Sequence, residues 1–252
     1  MEQLIKIIKE GKCNVQYDQS YDKYWTNEQL IEHIIELNCT SSGLTELPDL
    51  INCITLYCYG NKLRSLPKLP KCRYLNCSRN QLTQLTDLTN CEFLYCHNNQ
   101  LTVIPPLPKC SELKCGYNKL TYLPELPFCV ELTCYHNQLI KLPNTLTKCL
   151  RLCCDHNQLI ELPELPNCKY LMCNNNQLIK LPPLSNCGQL ICSDNQLSYI
   201  PRLSIHCYCI CDNNPFTYEQ YKKLWRFRDI YLGLKYTRLW YNRMIQLKVK
   251  IT

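Results

Sequence analysis

Long apolar runs are missing from this 252-residue chain: nothing approaches 18 consecutive apolar residues, so no membrane span is expected. The first residues, MEQLIKIIKEGK, also lack the pattern of an export signal. Charges at Glu2, Lys6, Lys9, Glu10 and Lys12 interrupt any apolar stretch, and no small-residue cleavage site follows. Phosphate-binding loops, HExxH and GxSxG are absent too, as are RNA- and DNA-binding motifs, so no familiar catalytic or nucleic-acid class is indicated. These absences favour an intracellular protein of a reducing compartment, cytoplasmic by expectation.

Cysteine, by contrast, is abundant. The chain holds 22, a content that in a short secreted protein would suggest a disulfide scaffold. With 46% apolar residues it has ample material for a core. The net charge of +7 is unevenly spread. Residues 1–33 carry four basic and six acidic side chains, residues 34–213 fifteen and thirteen, and residues 214–252 nine and two, so the surplus sits in the tail.

A repeat organises most of the chain. Asn61, Asn80, Asn99, Asn118, Asn137, Asn157, Asn176, Asn195 and Asn214 recur every 19 residues, with one step of 20. Around each lies CxxLxCxxNxL, as in Cys72, Leu75, Cys77, Asn80 and Leu82, usually followed by LPxLP, as at Leu162 to Pro166. An earlier copy on Ile34, Leu37, Cys39 and Leu44 has Ser42 at the asparagine position, giving ten units over residues 34–213. Alternation in xxLxC predicts a short strand with Leu and Cys facing one side, and the paired prolines predict an extended, polyproline-like return path instead of a helix. One unit cannot bury its own apolar face, so the units are expected to stack into a parallel sheet. The asparagines are expected to bond loop backbone groups of their own and the neighbouring unit.

This spacing resembles the leucine-rich repeat, LxxLxLxxNxL, with cysteine at the first and third leucine positions. The short unit and its LPxLP half resemble the subclass found in bacterial effector proteins. The cysteine-rich form is similar to leucine-rich repeat proteins encoded by giant DNA viruses of amoebae. The resemblance implies a repeat solenoid, a horseshoe with the parallel β-sheet on the concave face and extended segments on the convex face. Bacterial effectors of this kind often carry a separate ubiquitin-ligase domain; the 39 residues after the repeats are too few for one, so that activity is not carried over. Both flanks read as helical caps. Residues 1–33 contain two short helical patterns, one with Leu4, Ile5, Ile7 and Ile8, the other with Leu30, Ile31 and Ile34 behind a Thr26/Gln29 capping box. Residues 214–252 contain a second such box, Thr217 and Gln220, ahead of two amphipathic stretches.

Two ladders hold eighteen of the cysteines: Cys53 through Cys187 at the first position and Cys39 through Cys211 at the third, all expected to point inward as small buried hydrophobes. Strands in register lie about 4.8 Å apart, wider than the roughly 3.8 Å Cβ separation a disulfide prefers. Deprotonated sulfur for zinc would be costly in an apolar slab. Neither a metal nor a cofactor is expected. Cys13, Cys153, Cys207 and Cys209 fall outside the ladders, Cys209 at a leucine position. Cys153, with Asp155, His156 and His136 nearby, permits a nucleophilic or metal constellation to be drawn, but no orienting group or pocket is predicted for it, and no enzyme is expected.

Chemistry of recognition is more visible. The outward positions of the early repeats are Tyr57, Tyr59, Tyr74, Phe93, Tyr95, Tyr117 and Tyr135, with Arg73, Arg79 and Lys114 among them. Aromatic and arginine side chains supply stiff contact area that dominates binding hot spots, although exposed tyrosines also simply suit strands. The later repeats read as polar and mildly acidic through Asp155, Asn174, Asn175, Asp194, Asp212 and Asn213. The tail interleaves Lys222, Lys223, Arg226, Arg228, Lys235 and Arg238 with Trp225, Phe227 and Tyr231, which would suit nucleic acid or an anionic membrane, or merely a solvated cap. The expectation is a non-catalytic scaffold that binds a protein partner on the concave sheet, with tail-mediated nucleic-acid or membrane binding as the alternative and no small-molecule substrate.

Overall fold

The computed structural model describes residues 1–204 and 206–216. The expected C-terminal cap, including Lys222, Lys223, Arg226, Arg228, Lys235 and Arg238, therefore lies outside the described residues, apart from its first three positions. Residues Met1–Asn214 form one compact unit.

Each repeat after the first spends three residues on a strand. After the N-terminal elements α1 (Glu2–Lys9), β1 (Asn14–Tyr17) and α2 (Asn27–Glu32) come β2 (Ile34–Asn38), β3 (Thr55–Tyr57), β4 (Tyr74–Asn76), β5 (Phe93–Tyr95) and β6 (Glu112–Lys114). They are followed by β7 (Glu131–Thr133), β8 (Arg151–Cys153), β9 (Tyr170–Met172), β10 (Gln189–Ile191) and β11 (Tyr208–Ile210). All eleven make one sheet in sequence order, and from β2 onward every pair is parallel and in register, leucine beside leucine from Leu37 to Leu190. This is the solenoid the repeat predicts.

The interior is built from the invariant positions of the unit. The central leucines and both flanking cysteines of the inner repeats are buried, together with the leucine after each asparagine. Each fully buried leucine contributes roughly 1.5–3 kcal/mol. Among the described residues the return segments contain no α-helix; the single 20-residue unit absorbs its extra residue as a 3-10 turn, Leu146–Lys148.

The asparagine column closes each turn. Asn118 donates from Nδ2 to the carbonyls of Cys96 and Cys115, both at 3.1 Å, and accepts at Oδ1 from the Leu101 amide at 3.0 Å. The same triad of bonds recurs from Asn61, at the start of the stack, to Asn214 at its end. Each side chain thus ties two neighbouring units through backbone groups that would otherwise be buried unpaired. The residue just before it is left-handed in all nine cases, as is Ser41 before Ser42: Gly60 has φ 70°, and Ser41, Arg79, Asn98, Tyr117, His136, His156, Asn175, Asp194 and Asn213 have φ of 51° to 56°. For a non-glycine residue that conformation costs on the order of 1 kcal/mol, which the asparagine bonds offset.

The thiols are hydrogen-bonded as well as buried. From Cys53 to Cys187, each first-ladder Sγ donates to the carbonyl two residues ahead at 3.1–3.3 Å. Burial pushes the thiols of Cys53, Cys91, Cys110, Cys149 and Cys168 up to about 12, and Cys58, Cys96, Cys134, Cys154 and Cys173 are raised further. Two expectations need correcting at the last rung. Cys211 is half-buried, as is Cys209. Cys207, which the 19-residue spacing leaves outside the ladders, joins the first one. Its amide donates to Ser204 as that of Cys187 does to Leu184, and its thiol meets the Cys187 thiol, because the last unit is one residue shorter between its ladder cysteines.

The N-terminal cap has the two expected helices, and Thr26 and Gln29 form the reciprocal capping box, with Thr26 N donating to Gln29 Oε1 at 2.8 Å. It differs in two respects. Ile34 begins β2 and is not part of α2, whose last residue is Glu32. Between the helices the chain inserts β1, which runs antiparallel to β2 with Asn14 opposite Asn38 and Val15 opposite Leu37. The four-residue NVQY is too short for its alternation to stand out in the sequence.

Candidate interaction face

Alternation within each strand leaves two columns pointing away from the core. The residue before each central leucine runs Thr55, Tyr74, Phe93, Glu112, Glu131, Arg151, Tyr170, Gln189, Tyr208. The residue after it runs Tyr57, Asn76, Tyr95, Lys114, Thr133, Cys153, Met172, Ile191, Ile210. Of the sequence-predicted residues, Tyr57, Tyr74, Phe93, Tyr95 and Lys114 lie here. Tyr59 and Tyr135 follow the third-position cysteines, Arg79 and Tyr117 occupy left-handed positions, and Arg73 precedes β4.

The first cluster spans β3 to β6. Tyr74 packs on Tyr57 with ring centroids 4.9 Å apart and meets Tyr95 edge-on at 5.3 Å and Phe93 at 6.0 Å. Such pairs each add about 0.5–1.5 kcal/mol beyond burial, so the rings hold one another in place. Charges fix its edges. Tyr95 donates to Glu112 at 2.9 Å, Lys114 lies 2.6 Å from Glu112 and 4.5 Å from the Tyr95 ring centroid, and Arg73 holds Glu92 through two 2.9 Å bonds. Burial of Tyr95, followed by its bond to Glu112, raises the phenol well above its ordinary value, so it remains a donor.

A second cluster runs along the left-handed positions. Tyr117 stacks on His136 at 4.4 Å, His136 on His156 at 4.1 Å, and Tyr135 meets Tyr117 edge-on at 5.3 Å. Gly116 makes room for this: a Cβ there would sit 3.1 Å from the Tyr135 ring. Burial, and then the neighbouring His156, lower His136. Arg79 stacks separately, over Tyr59 at 5.6 Å.

The Cys153 constellation does not assemble into an activated thiol. Burial and then the Asp155 carboxylate push Cys153 up to about 11, which keeps it neutral, and Asp155 instead contacts His156 Nδ1 at 3.3 Å. Among the described residues no three His, Cys, Asp or Glu side chains converge as metal ligands.

The second half of the face departs from expectation. Asp155, Asn174, Asn175, Asp194, Asp212 and Asn213 lie beyond the strand ends. The strands themselves carry the half-buried column Cys153, Met172, Ile191 and Ile210, flanked by Arg151 over Tyr170 at 4.9 Å. Glu112, Glu131, Arg151 and Tyr170 also belong to the outward columns. Counting one residue either side of each ladder leucine would have found all of them. A groove of about 650 Å³ lies elsewhere, on the return segments around Leu142, Leu162 and Leu181.

In-register short strands, an asparagine column and proline-rich returns define a leucine-rich repeat solenoid. No family model matches the chain, and a search of curated proteins finds no match. Solved structures do. The chain is similar to YopM, a leucine-rich effector protein from Yersinia pestis, with TM-score 0.67 and 30% identity over 73% of this chain and 56% of that one. It is also similar to the leucine-rich repeat protein LIC12759 of Leptospira interrogans, with TM-score 0.61 and 26% identity over 71% of this chain and 53% of that one. The functional domain of InlJ from Listeria monocytogenes, which includes a cysteine ladder, shares the fold, with TM-score 0.55 and 24% identity over 69% of this chain and 47% of that one. The chain thus spans about half the length of these structures. Folds of this kind generally mediate protein–protein interaction.

Proposed function

We propose that this chain is a non-catalytic scaffold that binds a protein partner across its outward sheet face, chiefly through the cluster Tyr57, Tyr74, Phe93 and Tyr95. The observation that carries the reading is that these rings touch one another across three strands and are bordered by the paired charges Glu112 and Lys114. Rigid aromatic area ringed by polar groups is the composition of a binding hot spot. Arg73, Arg79, Tyr59, Tyr117 and Tyr135 extend the surface to either side.

Buried, protonated thiols suit a reducing compartment, where such a stack keeps its free cysteines. InlJ, another solenoid with a cysteine ladder, supports reading the ladder as architecture.

The test is affinity capture with the intact chain and with the triple variant Tyr57→Ala/Tyr74→Ala/Phe93→Ala, compared side by side. The expected result is loss of a discrete partner by at least 100-fold with the cooperative unfolding transition retained. A partner held equally by both chains would sink the proposal.

A further inference from the structure

The sheet face accounts for neither the most exposed aliphatic residues nor their arrangement. Where the chain leaves each asparagine and turns toward the return segment, six consecutive units place an apolar side chain outside: Val103, Tyr122, Ile140, Ile160, Ile179 and Tyr199, each between 42% and 56% exposed. Isoleucine has no polar group that favours such a position. The backbones here are in contact along the stack: the Lys119, Gln138, Gln158, Gln177 and Gln196 amides each donate to the preceding unit, and Ile179 N donates to Ile160 O. The six fall in two adjacent columns, Ile140, Ile160 and Ile179 three residues after the asparagine and Val103, Tyr122 and Tyr199 four after it, in line with Lys141, Glu161 and Lys180 at the border of the return-segment groove. Together they form a ridge two residues wide and about 25 Å long, at about 4.8 Å per unit. Exposed apolar side chains repeated over six successive units mark an interaction site.

The charges along the ridge identify its occupant. At the position directly after the three isoleucines stand Lys141, Glu161 and Lys180, so the signs alternate from unit to unit, and Lys180 lies 3.6 Å from Glu161. We propose that the ridge binds a second copy of this chain, flank to flank and antiparallel, with the two-fold axis between the units of Ile140 and Ile160. That axis is the centre of the six units. It sets Ile140 against the other copy's Ile160, Lys141 against its Glu161, Tyr122 against its Lys180 and Val103 against its Tyr199. No like charges meet. A two-fold interface brings each residue pair together twice, so both lysine–glutamate contacts form and both tyrosines face a cation. A parallel arrangement would instead oppose Lys141 to Lys141 and Glu161 to Glu161. The dimer leaves both outward sheet faces open, so it is independent of the partner proposed above and would present two such faces together.

Sedimentation velocity of the 252-residue chain tests this. A concentration-dependent dimer is expected, with Ile160→Asp raising its dissociation constant at least 100-fold while the far-ultraviolet spectrum and unfolding midpoint are kept, since the side chain is half exposed. The register is tested by two charge reversals. Lys141→Glu and Glu161→Lys should each be monomeric alone, because each places like charges together twice. Mixed in equal amounts, they should form a heterodimer. A chain that stays monomeric at high micromolar concentration, a dimer indifferent to Ile160→Asp, or reversals that fail to rescue each other would overturn the proposal.

Discussion

The front of the sheet, β3 to β6, and its back, β8 to β11, share one scaffold and differ only in two outward columns. At the front those columns hold touching rings edged by Glu112 and Lys114. At the back one column turns aliphatic through Met172, Ile191 and Ile210, while acidic groups retreat beyond the strand ends. Inside, the two regions repeat the same set, leucine, two cysteines and an asparagine, at every rung from β3 to β10. The lesson is a division of labour within the repeat. Positions that touch neighbouring units cannot vary without loss of stacking, whereas the outward pair is free to carry chemistry.

Removing what the two halves share should have the largest effect. Asn118→Ala, on the last rung of the front, deletes four hydrogen bonds and strands the Leu101 amide, while the Cys96 and Cys115 carbonyls keep the Asn99 and Asn137 side chains. A loss of about 2 kcal/mol is expected in urea unfolding, felt in both halves; a loss below about 1 kcal/mol would contradict the asparagine's role. Next, the double change Met172→Asp/Ile191→Asp alters only the back. It should cost about 1 kcal/mol of stability and leave a front-bound partner in place, so loss of that partner would transfer the site to the aliphatic column. The smallest effect concerns the histidine column that runs across the join.

His136 is lowered by burial and by His156, so the unfolded chain binds its proton more readily than the folded one. Its contribution to stability is present above the unfolded value, about 6.5, and is lost as pH falls from there through the folded value. Histidine resonances followed by NMR should place His136 below 6.5, and His156→Gln should raise it. An unmoved His136 would disconnect the two rings.

Much of this was legible because it is periodic. The asparagine interval, the ladder cysteines and the paired prolines report the same stack independently, and the Thr26/Gln29 box announces α2 through a local rule. What escaped was aperiodic or shared between units. β1 is four residues whose pairing is decided by β2 rather than by its own pattern, and Cys207 enters its ladder through a one-residue shortening that fixed spacing cannot follow. The back of the face read as acidic because Asp155, Asp194 and Asp212 are conspicuous in sequence, while Met172 and Ile191 differ in no obvious way from core residues until the strand assigns them a side.

The reversal of direction at β1 has a consequence for size. Every parallel strand from β2 onward offers its successor the same template, so the stack has no internal reason to stop at any particular rung. An antiparallel strand presents a different hydrogen-bond pattern, which no further 19-residue unit is built to continue. The start of the parallel stack is therefore set by β1. A whole unit inserted or deleted between Asn80 and Asn195 would recreate the same leucine, cysteine and asparagine junctions, and would change the spacing between front and back surfaces by one strand width, about 4.8 Å.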